Sequence, residues 1–119
     1  MHLLRSFKDA FAGLFYCFAT QRNMTIHAVA GLCVLAFAYW LHVPLVEMLL
    51  LLAAVFAVLT AEAVNTALEK AVDVATMDQH ELAHIAKDVA AGAVLLTAVF
   101  AVITGLAVLG PRVWLLLGF

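Results

Sequence analysis

Residues 89–110 run for 22 positions without a charged side chain, enough to cross the roughly 30 Å of bilayer hydrocarbon as one helix. A chain of 119 residues that is 67% hydrophobic and only 12% charged has too little polar surface to hide such a run in water. Its mean hydropathy of +1.12 places it in a bilayer. Within hydrocarbon, only helices or closed barrels satisfy every backbone N–H and C=O. The expected fold is therefore all-α: a single membrane-embedded domain over residues 1–119, with three transmembrane helices and one surface helix.

The other spans follow from the same criterion. Residues 24–41 carry only His27 as a potentially charged side chain, and Tyr39, Trp40 and His42 suit an interfacial end. Pro44 fits the first turn of a second helix. That helix includes the uncharged stretch 48–61 and has nothing to stop it before Thr76 to Asp78. Ala53, Ala57 and Ala61 form a small-residue stripe expected to pack closely against a neighbour. Asp78 or Thr76 is expected to cap the next helix, with Glu81 completing a capping box, and Pro111 is expected to end the third span. Upstream, Leu3, Leu4, Phe7, Phe11, Leu14, Phe15 and Phe18 share one side of a helix while Arg5, Lys8 and Asp9 lie on the other. This pattern suits a helix lying in the interface plane. Because its apolar residues are periodic, it is not read as a signal peptide.

Arg5, Lys8 and Arg22 precede the first span, and Lys70 and Lys87 lie between the second and third, whereas residues 41–47 have no Lys or Arg. The positive-inside rule puts the N-terminus and the central polar region in the cytoplasm, with Arg112 as one dissenting charge. With six basic and eight acidic residues, nothing suggests a nucleic-acid partner. Cys17 and Cys33 lie in apolar surroundings without metal-ligand spacing, so neither a disulfide nor a metal site is expected of them.

The chemistry is concentrated between Thr60 and Ala93. Glu62, Asn65, Glu69 and Asp73 fall at helical offsets 0, 3, 7 and 11, within a sector of about 80°. Ionisable groups beside hydrocarbon are costly, and such a face marks a functional site. Glu62 follows the apolar run directly, while Glu69 lies about 10 Å and Asp73 about 16 Å further along. A membrane-dissolved hydroxyl can meet Glu62, as a general base, while a water-soluble phosphate donor meets Glu69. Phosphoryl transfer needs positioning and charge neutralisation, usually by Mg²⁺ on one or two carboxylates. Glu69 is the first candidate ligand, and Asn65 can orient the donor phosphate or the attacking hydroxyl. Lys87 is placed to contact phosphate, and Asp88 to hold a nucleotide group or another side chain. No Walker A motif or Gly-rich kinase loop is present, which excludes the soluble kinase classes as templates.

The blocks Glu62-Ala-Val-Asn65-Thr66-Ala-Leu-Glu69-Lys70-Ala-Val-Asp73 and Ala86-Lys87-Asp88-Val-Ala-Ala-Gly92, with Ser6-Phe7-Lys8, Gly13 and Arg22-Asn23, resemble the small prokaryotic integral-membrane diacylglycerol kinases and their undecaprenol kinase relatives. The resemblance implies an ATP-dependent lipid kinase of the bacterial cytoplasmic membrane, a homotrimer whose active sites are shared between subunits. It implies Glu62 as base, Glu69 as ligand of ATP-bound metal, and His80, Lys87 and Asp88 in the nucleotide site. Two positions depart from the family pattern. Gln21 stands where relatives usually have Glu, so a neutral amide replaces their second carboxylate metal ligand. Asp9 stands where many have an aromatic residue, which removes adenine stacking from that nucleotide-site position. Undecaprenol is the favoured acceptor and diacylglycerol the next. Two other readings compete: a carboxylate-bridged metal protein built on Glu81-x-x-His84, and a non-enzymatic membrane assembly or proton relay using His27 and Glu47.

Overall fold

The computed structural model describes residues 1–78 and 80–119. Among them the chain forms four helices: α1 (His2–Thr20), α2 (Arg22–Trp40), α3 (Leu45–Ala75) and α4 (Glu81–Leu116). The last three are long and apolar enough to cross a membrane, and they run up, down and up beside one another. At 1.5 Å per residue, the 31 residues of α3 reach about 46 Å, well beyond the hydrocarbon thickness. Its C-terminal third therefore continues past the apolar segment, as the uninterrupted helical pattern requires. Leu and Val side chains are exposed on all three spans, an arrangement tolerated by lipid or another protein surface but not by water.

The core is thin. Ala38, Leu51 and Val108, one from each span, are buried together, with Val34, Val43, Met48 and Leu109 around them. Along α3 the buried residues are Leu51, Ala54, Val58, Glu62 and Thr66. Their spacing of three and four keeps them in the same sector as Asn65, Glu69 and Asp73. One stripe of α3 thus begins as apolar packing and ends as polar chemistry. Ala53, Ala57 and Ala61 border, with Ala90 and Ala93 of α4, an open groove of about 470 Å³. The α2–α3 approach is set by Gly31, where a Cβ would come within 2.8 Å of Val55 Cγ1.

Helix α2 stops at a turn in which His42 adopts a left-handed φ of 57°. His42 N–H donates to Tyr39 O at 3.1 Å and Val43 N–H to Ala38 O at 3.3 Å, the pairing that closes a Schellman motif, with histidine where glycine is usual. Val43 then packs on the core beside Ala38, and Pro44 stands immediately before the first residue of α3.

Two termini differ from expectation. Thr76 closes α3 instead of opening α4, its N–H donating to Val72 O. The cap of α4 is His80, whose Nδ1 accepts from Leu82 N–H at 3.1 Å. Asp78 cannot form the capping box because α4 begins at Glu81, and its N–H bonds Thr76 Oγ1. Nor does Pro111 end the third span, since α4 continues to Leu116. The ring removes the donor for Ala107 O, four residues back, while Arg112 Nη1 donates to the following carbonyl, Val108 O, at 2.6 Å. Transmembrane helices carry proline in their interior where local adjustment and neighbouring groups re-satisfy the freed backbone.

The surface helix α1 packs lightly on the bundle. Cys17 is its one buried residue, while Phe7, Phe11 and Phe15 remain exposed along the apolar side. Both cysteine thiols are free.

Candidate functional site

Helix periodicity gathers the acidic residues of α3 on one stripe, and the neighbouring helices supply their partners. Glu47, in the first turn, pairs with Arg112 across the α3–α4 seam at 2.7 Å. That pair occupies the end of the bundle bearing the α2–α3 turn. About 22 Å along α3, Glu62 is only 4% exposed, and its Oε1 lies 3.4 Å from His27 Nε2 of α2. His27 and Glu47 therefore serve separate partners and form no relay with each other. At the far end, Lys87 of α4 donates to Asp73 Oδ1 at 2.5 Å. Asp73 lies beyond the apolar part of α3, and this hydrogen bond holds its carboxyl below the usual carboxylate range.

Glu69 is different. Among the described residues no basic side chain from another helix pairs with it; its polar contact is Asn65, whose Nδ2 donates to Glu69 Oε1 at 3.3 Å. Asn65 Oδ1 is then buried without a hydrogen-bond partner among the described residues, and an unpaired buried acceptor costs about 1–3 kcal/mol. A carboxylate beside an orphaned amide oxygen is a hard-oxygen donor pair, which fits Mg²⁺ better than softer metals. Among the described residues no group of three or more His, Cys, Asp or Glu side chains is arranged to hold a metal. Such an ion would need further oxygens from a phosphate substrate, as Mg²⁺ sites commonly do.

Beyond Glu69, the end of α3 and the start of α4 enclose a cavity of about 500 Å³ lined by Asp73, Asp78, His80, Glu81, His84 and Lys87, among others. Its walls carry both charge signs and face the polar end of the bundle. Asp88 lies outside this lining, with its Oδ2 3.4 Å from His84 Nε2 in the next helical turn back. His84 is thus engaged with Asp88, and the Glu81-x-x-His84 pair finds no second pair of its kind.

Glu62, Asn65 and Glu69 thus share the face expected of them, and Asp73, His80 and Lys87 meet in the adjoining cavity. Gln21 sits at the α1–α2 junction with its Nε2 3.2 Å from Thr20 Oγ1, and Asp9 is exposed on α1. Among the described residues neither makes a polar contact with the α3 face. The partner of Glu62 escaped the sequence reading, although a signal existed. Reflecting position 27 across the 41–44 turn lands near Val58, one helical turn short of Glu62.

The chain matches the prokaryotic diacylglycerol kinase family over residues 8–109. It is 48% identical over 111 residues to a diacylglycerol kinase of Synechocystis sp., covering 92% of this chain and 63% of that protein. Against the undecaprenol kinase of Bacillus subtilis the identity is 35% over 108 residues, covering 91% and 88%. A diacylglycerol kinase of Escherichia coli is 40% identical over 76 residues, or 64% of this chain and 62% of that protein. The chain thus spans under two thirds of the Synechocystis relative and nearly all of the Bacillus one. With the family match extending from α1 through α4 and including the whole acidic stripe of α3, the chain belongs to the prokaryotic diacylglycerol kinase family.

Proposed function

We propose that this protein is an ATP-dependent lipid kinase that transfers the γ-phosphoryl group to the hydroxyl of a membrane lipid alcohol. The observation that carries the reading is the placement of Glu62, buried where the apolar half of the α3 stripe gives way to the polar half. Relatives named diacylglycerol kinase and undecaprenol kinase support the reaction class.

In this reading the acceptor presents its hydroxyl at Glu62. The O–H bond breaks, and the proton passes to the carboxylate. The freed oxygen bonds to the γ-phosphorus, the bond from that phosphorus to the bridging oxygen breaks, and ADP leaves. Glu69, aided by the free oxygen of Asn65, is the first ligand for Mg²⁺, and Gln21 is the second candidate. When bound, Mg²⁺ offsets phosphate charge that the protein's few cations do not. Lys87, released from Asp73, reaches phosphate, and His80, Asp88 and Asp9 complete the nucleotide's surroundings. A homotrimer in the bacterial cytoplasmic membrane, with this face towards the cytoplasm, fits the exposed apolar sides of three spans too few to enclose a site alone.

Undecaprenol is the first acceptor to try, since the relative of that name is aligned over most of its length. Diacylglycerol is the second, since the relative of higher identity bears that name. Purified protein given labelled ATP, Mg²⁺ and a panel of lipid alcohols should yield one preferred phospholipid product. Absence of label in every lipid, in a preparation that binds MgATP, would refute the kinase reading.

A further inference from the structure

Glu62 has two carboxylate oxygens, and only one of them can be held for the base to point the other at a substrate. The carboxylate torsion is broad and roughly two-fold, so packing alone fixes it poorly. Among the described residues, the polar side-chain group next to it is His27 Nε2, 3.4 Å from Oε1, with the Glu62 side chain 5% and the His27 side chain 29% exposed. His27 in turn borders a cavity of about 630 Å³ whose other walls, including Gly31, Ala54, Val58, Ala98 and Trp114, hold no titratable group. From α4, therefore, only uncharged residues reach this region. Removing the imidazole would leave Glu62 as a buried carboxylate with no cationic or donor side chain beside it, a costly state that it would relieve by turning towards water or taking up a proton.

We propose that His27 is a positioning residue for phosphoryl transfer. Across this 3.4 Å contact its Nε2–H orients Oε1 of Glu62, leaving the other carboxylate oxygen to receive the acceptor's hydroxyl proton. Neutral imidazole with the proton on Nε2 and imidazolium both provide that donor. The proposal rests on Glu62 being the base. Histidine suits the position because its ring carries an N–H from α2 across to the Glu62 carboxylate on α3. Its loss should act on the chemical step and leave MgATP binding alone, and a misplacement of about 1 Å can cost on the order of 100-fold in rate.

Full-length protein in lipid bilayers, supplied with MgATP and its preferred lipid alcohol, provides the test through His27→Gln, His27→Asn and His27→Leu. Glutamine sets an N–H about where Nε2 stands, asparagine sets it too close to the backbone, and leucine has none. His27→Leu and His27→Asn should lose about 10- to 100-fold in kcat with KM for MgATP within about twofold of wild type, while His27→Gln stays within about fivefold of wild-type kcat. If the leucine variant fails to fold, the glutamine–asparagine comparison carries the same information. A readout independent of turnover is the ¹⁵N resonance of His27, assigned by its loss in His27→Gln, which should shift in Glu62→Gln. Wild-type kcat in His27→Leu, equal losses in the Gln and Asn variants, or an unmoved resonance would overturn the proposal. Turnover retained by Glu62→Gln would instead overturn the assignment of Glu62 as the base and the positioning role with it.

Discussion

Among the described residues, Glu69 is the acidic residue of the α3 stripe that no basic side chain from another helix offsets, and this is why the proposed function gives it the metal. Glu47, Glu62 and Asp73 face Arg112, His27 and Lys87, whereas Glu69 faces an amide of its own helix. Glu69→Gln should weaken MgATP binding by about tenfold or more, roughly 1.4 kcal/mol, and lower turnover as well. Calorimetric titration checks the first and a coupled ADP assay the second; unchanged affinity would remove Glu69 from the metal site. Gln21→Glu should lower the Mg²⁺ concentration for half-maximal activity, because a carboxylate neutralises charge that an amide cannot. Overlapping Mg²⁺ curves for the two proteins would leave Gln21 as the junction of α1 and α2 and nothing more. The face itself was legible in the sequence because one helical period fixes Glu62, Asn65, Glu69 and Asp73 together. The partners of Glu62 and Asp73 were not, since His27 and Lys87 arrive from other helices whose register depends on packing.

Between helices, the decisive feature is the α2–α3 crossing. It brings His27 to Glu62, and it depends on Gly31, which leaves room for Val55. Gly31→Ala should destabilise the protein by about 1–3 kcal/mol, since the valine is stiff at χ1 and cannot turn aside. Val55→Ala in the same chain should restore most of that loss, read as the thermal unfolding midpoint in detergent for the single and double variants. No recovery in the double variant would place the close approach elsewhere. The span boundaries followed from hydropathy and turn residues, with Pro44 and the run to Ala75 both where the pattern puts them. Pro111 misled because a proline rule drawn from isolated helices overlooks that transmembrane helices tolerate proline in their interior; beside it Arg112 donates to Val108 O and lies 2.7 Å from Glu47 Oε2. Within the chain, extending the Glu62 stripe backwards through Val58, Ala54 and Leu51 marks the buried face directly.

For the molecule as a whole, charge is sorted by end. Lys87, Asp73, Asp78, His80 and Glu81 gather where α3 gives way to α4, while Arg112, the dissenting cation, is paired with Glu47 near the opposite turn. In whole cells, Asp78→Cys should resist a membrane-impermeant thiol reagent until the cells are opened, and His42→Cys should react at once. The reverse pattern would invert the orientation. Under the proposed function, the first pattern would put Glu62 at the cytoplasmic boundary, where a lipid hydroxyl and a soluble phosphate donor can meet. The measurement that bears most directly on this account follows lipid phosphorylation and MgATP binding in one preparation each of wild type and Glu62→Gln. A general base at Glu62 predicts transfer reduced by at least about 100-fold with MgATP affinity within about twofold, whereas wild-type turnover in the variant would contradict it.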